Sequence, residues 1–560
     1  MFTRPLTGLL ATGLLVMLIQ SAARADETKA ATPTVTAPAD SANWPQWRGP
    51  NRDGIAPSSP KLLSAWPKDG PRLVWKSDPI PSGTKGGAGS VAVADGKAFV
   101  FVHSRKIIGK AMLTTKDLIG MGWAEGIPDD LAKKVDAAIR TDKWRKAAVG
   151  PAMDDYIKEF IATLDPKQAE TYGPFVRNRM NEKGKWGKDY PEPLNWDGLC
   201  RLARIRDKEI PELENLRGFI GLGEHESVYD RAYQVARGQL NEKFAGYFDT
   251  VICLDAATGK ELWRKEFPGN ISRQMEYWGA SSTPTVCDGK CYVTGSAGFY
   301  CLSVKDGAVV WQAKTEFSNS SPLVVNGVVY VGVPGATAYD AKTGAVIWSL
   351  PKLTMDSTSL VTWTHGGKDY LIGAVPGGTY TSPPCGAYCL DPATGKELWR
   401  AWNKGTVSTP VIRGDTMVLR GFAYKLSPEK AESLWSKECD GDAGSQIVYE
   451  GCVYHTGGHC FSPQLRCLDV ATGATKWDLP GGAWQKEIRC SSPVLADGKI
   501  IAVACESAAI MFKASADKYE ELGRFNPGVA ACTSPAIAGG KLYLRLENGV
   551  ACYDLAAANP

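Results

Sequence analysis

The stretch that decides the fold is residues 254–263, which read LDAATGKELW. It recurs five more times, and in all six copies Trp stands eight positions after the Asp or Ser that opens the turn. A fixed offset of this kind indicates a structural repeat. The other copies are YDAKTGAVIW at 339–348, LDPATGKELW at 390–399, LDVATGATKW at 468–477, LSVKDGAVVW at 302–311 and LSPEKAESLW at 426–435.

Each copy predicts a β-hairpin. Asp, Thr and Gly form the turn, where glycine is free to take positive φ. The Trp then lies on the returning strand, and its large apolar ring packs against the neighbouring unit. Together with one upstream Trp, the predicted docking residues are Trp75, Trp263, Trp311, Trp348, Trp399, Trp435 and Trp477.

A second hairpin precedes each turn–Trp hairpin. Its first strand often begins with Ser or Thr followed by Pro, as in SSPLVV at 320–325 and TSPAI at 533–537. An Asp-Gly or Asn-Gly turn then leads into an alternating strand such as VVYVGV at 328–333. Four antiparallel strands, A to D, in each unit of about 40–50 residues predict a blade of a β-propeller.

The units number eight. Blade 7, at about 487–526, has lost its Trp, and blade 8 runs out before its fourth strand. The segment PRLVWKSD at 71–78 carries Trp75 without a hairpin of its own, so we expect it to complete blade 8. Such a closure removes the exposed edges of an open sheet. The sequence therefore predicts an all-β, eight-bladed β-propeller.

The phrase LDAATGKELW resembles the tryptophan-docking motif of pyrroloquinoline-quinone (PQQ) repeat propellers. That family includes the eight-bladed quinoprotein alcohol dehydrogenases and the outer-membrane assembly lipoprotein. The resemblance covers roughly 70–81 and 250–555, and implies a quinoprotein alcohol dehydrogenase-like fold. The segment NWPQWRGPNRDG at 43–54 resembles the leader of secreted PQQ-like propellers, and we expect Trp44 and Trp47 to pack against the barrel.

Composition and the first residues bear on the compartment. The net charge of +4 on 560 residues is too small to favour nucleic acid or acidic lipid as a partner. Arg4, an apolar run and small residues up to Ala25 predict a signal peptide at 1–25, the alternative being an uncleaved anchor. No Cys stands directly after this run, so no lipoprotein attachment site is visible there. No later stretch is long and apolar enough to span a bilayer. We expect a monomer that is periplasmic or secreted.

The predicted domain organisation continues from there. A linker at 26–42 is followed by a Trp-rich segment at 43–70, then by the closing strand and the first half of blade 1 at 71–103. Residues 104–249 show helical periodicity and predict a helical insertion between strands B and C of blade 1. The rest of blade 1 and blades 2–8 occupy 250–560. The insertion should rise on the face of the D-to-A loops, either as a lid or outward toward a protein partner.

The chain has 15 cysteines. Cys alternates with Ala and Met at one repeat position, which indicates a small buried site rather than a disulfide framework. We therefore expect Cys253, Cys301, Cys389, Cys467 and Cys552 to be buried free thiols. The best local disulfide candidate is Cys287 with Cys291, on either side of an Asp-Gly-Lys turn.

Ligand residues should come from the D-to-A and B-to-C loops, which emerge together around the channel. Cations beside Trp suit a planar polyanion such as a quinone tricarboxylate; the alternative is that these loop charges are merely solvated. The candidates for the ligand face are Lys85, Arg273, Gln274, Trp278, Asn319, Asp442, Trp484, Lys486 and Arg489.

One metal-like cluster stands at 452–460, CVYHTGGHC: its Cys452, His455, His459 and Cys460 are residue types that bind zinc or copper. The alternative is a plain strand and Gly-Gly turn. Covalent c-type haem is excluded because no Cys-x-x-Cys-His occurs. A quinoprotein enzyme would also need a Ca²⁺ site and a catalytic Asp, for which no residues match, and the family's adjacent cysteine pair does not occur in this sequence.

Two functions remain open on the sequence. The first is a binding or scaffolding module, with a protein or small-molecule ligand on the channel face and no cofactor assigned. The second is a PQQ-dependent oxidoreductase acting on an alcohol or sugar, which rests on the family resemblance.

Overall fold

The structure is a computed structural model, and its described residues all belong to one compact unit, Ala37–Pro560. No described helix has the length and apolar character needed to span a bilayer. The described residues are 43–83, 86–107, 112–148, 152–181, 194–210, 216–223, 230–270, 282–315, 319–332, 335–353, 358–375, 385–403, 408–437, 444–457, 464–479, 491–503 and 508–557.

In this part of the chain, 32 strands form eight antiparallel sheets of four, so the eight-bladed propeller is confirmed. Strand β1 (Arg72–Lys76) comes first in the chain. Blades 1 and 2 consist of β2 (Ala92–Ala94), β3 (Lys97–Ile107), β4 (Ala245–Asp255) and β5 (Glu261–Gly269), then β6 (Thr285–Cys287), β7 (Lys290–Thr294), β8 (Gly298–Ser303) and β9 (Val309–Lys314). Blades 3 and 4 consist of β10 (Leu323–Val325), β11 (Val328–Val331), β12 (Ala336–Asp340) and β13 (Val346–Leu350), then β14 (Val361–His365), β15 (Lys368–Val375), β16 (Cys385–Leu390) and β17 (Glu397–Asn403).

The remaining four blades follow the same order from the inner strand to the outer one. Blades 5 and 6 consist of β18 (Val411–Arg413), β19 (Thr416–Leu419), β20 (Phe422–Leu426) and β21 (Ala431–Ser436), then β22 (Ile447–Tyr449), β23 (Cys452–Gly457), β24 (Gln464–Asp469) and β25 (Thr475–Leu479). Blades 7 and 8 consist of β26 (Val494–Ala496), β27 (Lys499–Val503), β28 (Ala509–Lys513) and β29 (Glu521–Phe525), then β30 (Ala536–Ala538), β31 (Lys541–Leu546) and β32 (Gly549–Asp554), with β1 as the outer strand.

The ring is joined where the two ends of the propeller meet. Strand β1 pairs antiparallel with β32, and Trp75 lies opposite Cys552. Blade 1 has the same register, with Trp263 opposite Cys253. An N-terminal strand therefore stands in blade 8 where every other blade uses its own fourth strand.

A belt of hydrogen bonds encircles the channel and explains the Ser/Thr-Pro motif. In each blade one Ser or Thr just before the inner strand donates its backbone N–H to the side-chain oxygen of its equivalent in the next blade, at 2.9–3.1 Å. The last bond runs from Ser534 back to Ser90, so the belt closes on itself. Its members are Ser90, Thr283, Ser321, Ser359, Thr409, Ser445, Ser492 and Ser534, all buried.

The seven docking tryptophans join neighbouring blades at the rim, at every junction except that of blade 7 with blade 8. The indole N–H of each one donates to a backbone carbonyl in the C–D turn of the following blade, at 2.9–3.2 Å. The ring covers the turn glycine: a Cβ on Gly344 would lie 2.6 Å from Trp311. Positive φ and this close approach both require glycine there. The donor and acceptor pairs are Trp75–Ala256, Trp263–Val304, Trp311–Ala341, Trp348–Pro392, Trp399–Ser427, Trp435–Val470 and Trp477–Ser515.

Two blades depart from the repeat as it reads in the sequence. In blade 5 the fixed spacing places Lys425 at the repeat position that holds a buried Cys in other blades. The structure instead places Ala423 there, buried and opposite Trp435. The reason is that the hairpin between these two residues is two residues longer than in the other blades. In blade 7 the docking position is Gly523, opposite Met511. The N-terminal Trp66 lies on it, and a Cβ there would be 2.4 Å from the Trp66 Cβ.

The cysteines behave as the repeat predicts. All five repeat-position cysteines are buried and free. Burial raises the pKa of Cys253 and Cys389 to about 12, which suppresses the reactive thiolate. Cys287 and Cys291 are also free, so the disulfide considered for them is wrong; Cys291 lies opposite Val286 and Cys287 opposite Lys290 in the hairpin.

Residues 43–56 cross the end of the channel away from the insertion. Trp44 is buried and forms a backbone bridge with Val93 in blade 1, while Asp53 pairs with Arg413 in blade 5 at 3.1 Å. Blades 1 and 5 stand opposite each other in a ring of eight, so the segment spans the channel. Asn43 contacts the A–B turn of blade 1, which fixes the end that is covered.

A helical domain lies between β3 and β4. The strands run further than the sequence indicates, since their ladder reaches Ile107 opposite Ala245. Pro128 is the N-cap of the second helix. The described helices are α1 (Thr115–Gly120), α2 (Asp129–Ala138), α3 (Asp142–Ala148), α4 (Met153–Ile161), α5 (Pro166–Met180), α6 (Trp196–Ala203), α7 (Leu216–Ile220) and α8 (Arg231–Phe244).

These helices bury their apolar faces against one another. Their core includes Leu131, Val135, Trp196 and Leu202, and all of its members come from residues 113–240. Asp136 and Arg179 form a buried ion pair at 2.8 Å inside it. The insertion therefore has a core of its own, separate from those of the blades.

Removing the insertion should leave the propeller folded. Because Ile107 and Ala245 are paired, a two-residue Asn-Gly turn can join them in place of 108–244. We expect the helical circular-dichroism signal to fall, while the protein stays monomeric and unfolds in a single cooperative transition. A shortened chain that aggregates or loses its β-sheet signal would contradict a separate core.

Candidate functional site at the root of the insertion

A buried polar cluster lies where β3 and β4 leave the ring and enter the helical domain. His103 on β3 and Asp249 on β4 are Cα partners, and both side chains are fully buried. His103 Nδ1 lies 2.6 Å from Asp249 Oδ1. The ladder β3–β4 thus fixes two ionisable groups at the top of the interface between blades 1 and 2.

Asp249 accepts hydrogen bonds from blade 2 as well. Ser296 donates its backbone N–H at 2.7 Å and its hydroxyl at 2.9 Å. Tyr300 donates its hydroxyl at 3.2 Å. Burial, followed by the charge and hydrogen bond of Asp249, raises the pKa of Tyr300, so the phenol stays protonated and remains a donor.

These contacts assign the tautomer of His103. Since the carboxylate is an acceptor, Nδ1 carries a hydrogen and donates it to Asp249. In the neutral ring Nε2 is then the bare acceptor nitrogen, and it is buried without a hydrogen-bond partner among the described residues. An imidazole held through Nδ1 with Nε2 free can accept a proton from a ligand hydroxyl or bind an electrophile.

The His103 ring is enclosed by residues of blade 1 and by the segment that follows β5. The Tyr247 ring stacks on His103 with centroids 5.9 Å apart. A Cβ on Gly269 would lie 3.2 Å from His103 Cε1, the ring atom next to Nε2, and Asn270 donates to the Ser296 hydroxyl at 2.8 Å. Residues 271–281 follow directly in the chain, and on the other side Gly86 accepts the backbone N–H of His103.

Of the predicted ligand-face residues, Asn319 is described. It is partly exposed and precedes Ser320 and the belt residue Ser321 at the entrance to blade 3. The other predicted residues lie outside the described part of the chain and remain predictions. They are Lys85, Arg273, Gln274, Trp278, Asp442, Trp484, Lys486 and Arg489.

The predicted metal cluster is partly described. Cys452 and His455 are both buried on β23, and three residues apart on a strand they point to opposite faces. His455 Nδ1 lies 3.1 Å from Gln446 Nε2. His459 and Cys460 lie outside the described residues, within which no group of three potential ligands meets.

Sequence reasoning missed His103 and Asp249 because both lie at the predicted ends of the insertion. The signal was the alternation that continues past strand B in FVFVHSRKI at 99–107 and precedes strand C in YFDTVIC at 247–253. Such a pattern of apolar and polar residues indicates the two strands, but it does not show that they pair with each other across the insertion.

Destroying this pair should cost stability as well as any function. Asp249→Ala is expected to lower the free energy of unfolding by about 3–5 kcal/mol, since it strands buried donors of His103 and Ser296. The matched control is Glu266→Ala on β5, which removes a surface ion pair with Lys106 and should cost less than about 1 kcal/mol. Chemical denaturation measures both; equal effects would contradict a tightly satisfied cluster.

The fold is that of a known class of repeat propellers. A family model described as "Outer membrane protein assembly factor BamB" matches residues 235–364 and 336–559, together more than half of the chain. The chain therefore belongs to this family of PQQ-like repeat propellers.

Two relatives with similar sequences carry names of different enzymes. Tetrathionate hydrolase of Acidithiobacillus ferrooxidans is 24% identical over 41% of this chain and 43% of its own length. Polyvinylalcohol dehydrogenase of Sphingopyxis is 25% identical over 55% of this chain and 50% of its own. The chain thus spans half or less of either relative. The quinohemoprotein alcohol dehydrogenase structure from Comamonas testosteroni is 13% identical, with TM-score 0.45, over 56% of this chain and 73% of that one.

Proposed function

We propose that this protein is an exported binding or scaffolding module of the periplasm or cell surface. It acts as a monomer and holds its ligand or protein partner on the face that carries the helical insertion. The family to which it belongs takes its description from an assembly factor, which supports a role in binding.

The observation that carries the proposal is that two arginine side chains of the N-terminal segment reach the hydrogen-bonded belt inside the channel. Arg48 donates to the Ser445 carbonyl at 2.8 Å, and Arg52 donates to the Leu360 carbonyl at 3.0 Å and to the Ser321 carbonyl at 3.2 Å. Both guanidinium groups are buried, and burial lowers the pKa of Arg52 to about 9. Ser321 and Ser445 belong to the belt, so protein side chains reach the belt from the other end. We therefore expect a ligand to bind on the other side of the belt, on the face that carries the insertion.

A second candidate function is oxidation of an alcohol or sugar with PQQ. One observation favours it: Asp249 holds His103 so that Nε2 can accept a hydroxyl proton, and a relative is named polyvinylalcohol dehydrogenase. This chain's own contribution would be to orient the hydroxyl and take its proton.

Titration of the purified full chain with PQQ and Ca²⁺ separates the two functions. The binding module is expected to give no saturable change in quinone absorbance and no dye reduction with ethanol, glucose or poly(vinyl alcohol). Stoichiometric PQQ binding with substrate-dependent dye reduction that His103→Gln abolishes would establish the dehydrogenase instead.

A second experiment tests whether the helical insertion is needed to bind a partner. The intact chain and the chain with Asn-Gly in place of 108–244 are immobilised side by side and exposed to extract from the native host. The proposal predicts partners that the intact chain retains and the shortened chain does not. Identical retention by both chains would place binding elsewhere on the protein.

A further inference from the structure

Blade 6 has a basic residue pair at a level of its sheet where the other blades have uncharged residues. The level is the pair on strands B and C that lies one step nearer the insertion face than the residue opposite the docking position. In blade 6 this pair is His455 and Arg466. The corresponding pairs are Val100–Ile252, Val293–Tyr300, Val331–Thr337, Gly373–Tyr388, Leu419–Phe422, Ala502–Ile510 and Leu544–Ala551.

Strand A of blade 6 departs from the repeat at the same place. The residue that follows the belt Ser or Thr is Gln446 in this blade. In the other blades it is apolar: Val91, Pro284, Pro322, Leu360, Pro410, Pro493 and Pro535. Gln446, His455 and Arg466, here called the polar row, are therefore residues that the blade fold does not require.

The polar row is buried and its members are neighbours. Gln446 and His455 are each 1% exposed, and Arg466 is 7% exposed. Gln446 Nε2 lies 3.1 Å from His455 Nδ1. Because an amide nitrogen only donates, Nδ1 accepts, and the neutral ring carries its hydrogen on Nε2. His455 is thus a donor through Nε2, and Arg466, its Cα partner on β24, adds a cationic group.

Burying these groups costs free energy. They lose their hydration, and replacing such groups by apolar residues of similar size is often neutral or stabilising. Within the described part of the chain, Gln446 Oε1 is buried and has no hydrogen-bond partner. Residues that break the pattern of a repeat at such a cost are typical of functional sites.

The neighbouring blade has no strand opposite the polar row. The apolar cluster between blades 5 and 6 includes Ala423 and Leu468. Arg466 stands two residues before Leu468 on β24, so it lies on the same side of the sheet and nearer the insertion face. At that level blade 5 has only the two-residue turn between β19 and β20, Arg420-Gly421. The polar row therefore faces a turn, at the end of the propeller that carries the insertion.

The electrostatics of this place favour an anion. Arg48 donates to the Ser445 carbonyl at 2.8 Å and to the Gln446 carbonyl, so a second guanidinium group lies close to the polar row. Arg466 pairs with Asp478 at 3.4 Å on the outer strand, where the Asp478 side chain is 42% exposed. The buried end of the row thus offers donors and positive charge, together with one acceptor, Gln446 Oε1.

We propose that Gln446, His455 and Arg466 bind a small hydroxycarboxylate, of the class of hydroxy acids and sugar acids. Its carboxylate accepts hydrogen bonds from the His455 ring and the Arg466 guanidinium, and such charge-assisted bonds are the strong ones. A hydroxyl group of the same molecule donates to Gln446 Oε1, which otherwise lacks a donor. The inference rests on the proposed binding function and names the chemistry of its ligand.

Calorimetric titration of the full-length protein with D-gluconate tests the proposal. Acetate, which lacks the hydroxyl groups, and glucose, which lacks the carboxylate, are titrated at the same ionic strength. We expect saturable binding of gluconate, binding of acetate about tenfold weaker or less, and no binding of glucose.

Variants that restore the repeat separate a binding role from a structural one. His455→Val with Arg466→Ile installs the pair of blade 1 and should weaken gluconate binding about tenfold or more, because both donors to the carboxylate are lost. Its melting temperature should equal or exceed that of the wild type. Gln446→Leu, with the residue of blade 4, should lose the preference for gluconate over acetate. Thr337→Ile, at the same level of blade 3, is the matched control and should bind gluconate as the wild type does.

The proposal is overturned if gluconate does not bind the wild type, or if the double variant binds it equally well. A fall of several degrees in the melting temperature of both the double variant and Gln446→Leu would assign the polar row a structural role and overturn it too. Partner retention that depends on the insertion, without gluconate binding, would leave the proposed binding function standing and remove only this ligand.

Discussion

Replacing Arg545 with Met is expected to lower the free energy of unfolding by about 3–5 kcal/mol. Arg545 is fully buried on β31, and all five of its N–H groups are donated. Nη1 bonds the carbonyls of Gly89 and Phe101 at 2.8 and 2.7 Å. The other acceptors are the Ser82 hydroxyl and the carbonyls of Pro81 and Gly86. One side chain therefore ties blade 8 to the entrance of blade 1.

The cost arises because methionine fills the space but removes all five donors, while the Gly86 carbonyl alone keeps the described bond from the His103 backbone N–H. Burial lowers the pKa of Arg545 to about 9, so the group is still charged at neutral pH and each of its bonds is charge-assisted. The free energy of unfolding of Arg545→Lys should lie between those of the wild type and Arg545→Met. The ammonium group of lysine has three N–H donors and cannot reproduce the five hydrogen bonds of the planar guanidinium group.

Chemical denaturation of the full chain, followed by tryptophan fluorescence, measures the effect. The matched control is Arg72→Met on β1, at the same junction. It removes an ion pair with Asp554 in which the Arg72 side chain is 71% exposed, and should cost less than about 1 kcal/mol. Similar losses in the two variants would show that Arg545 is not the clamp we infer.

Trp75→Ala is expected to cost about 3–5 kcal/mol and, in addition, to promote association. Trp75 is buried, donates to the Ala256 carbonyl at 3.0 Å and packs on Gly259 in blade 1. Its strand is held to blade 8 through pairing with β32. Losing the ring loosens the strand that closes the propeller and exposes the edge of β32 to other molecules.

Thermal unfolding together with light scattering gives both readouts. Leu73→Ala is the control: Leu73 stands on the same strand but is 51% exposed, so its truncation should change stability by about 0.5 kcal/mol or less. Trp435→Ala, inside an unbroken blade, should destabilise without promoting association. A Trp75→Ala protein that melts like the wild type and stays monomeric would refute closure by β1.

The amino-acid sequence by itself determined the architecture. The turn–Trp phrase is local: Asp, Thr and Gly make the turn, and Trp follows at a fixed offset. Repetition of a local signal fixes the number of blades, the docking tryptophans and the strand that completes blade 8. The buried cysteines follow as well, because one repeat position carries a small or flexible residue in seven of the eight units.

Only the tertiary structure decided what depends on contacts between distant residues. The spacing suggested Lys425 as the small buried position in blade 5, and strand pairing placed Ala423 there, because a longer turn shifts the register without changing the distance from Ser427 to Trp435. His103 and Asp249 stand 146 positions apart, so no local pattern marks them as partners. Arg48, Arg52 and Arg545 carry no distinguishing signal in the sequence, and the structure shows them as buried donors to backbone carbonyls. The physical reason is that a carbonyl acceptor has no residue-type signature, so its partner becomes visible only when the chain is folded.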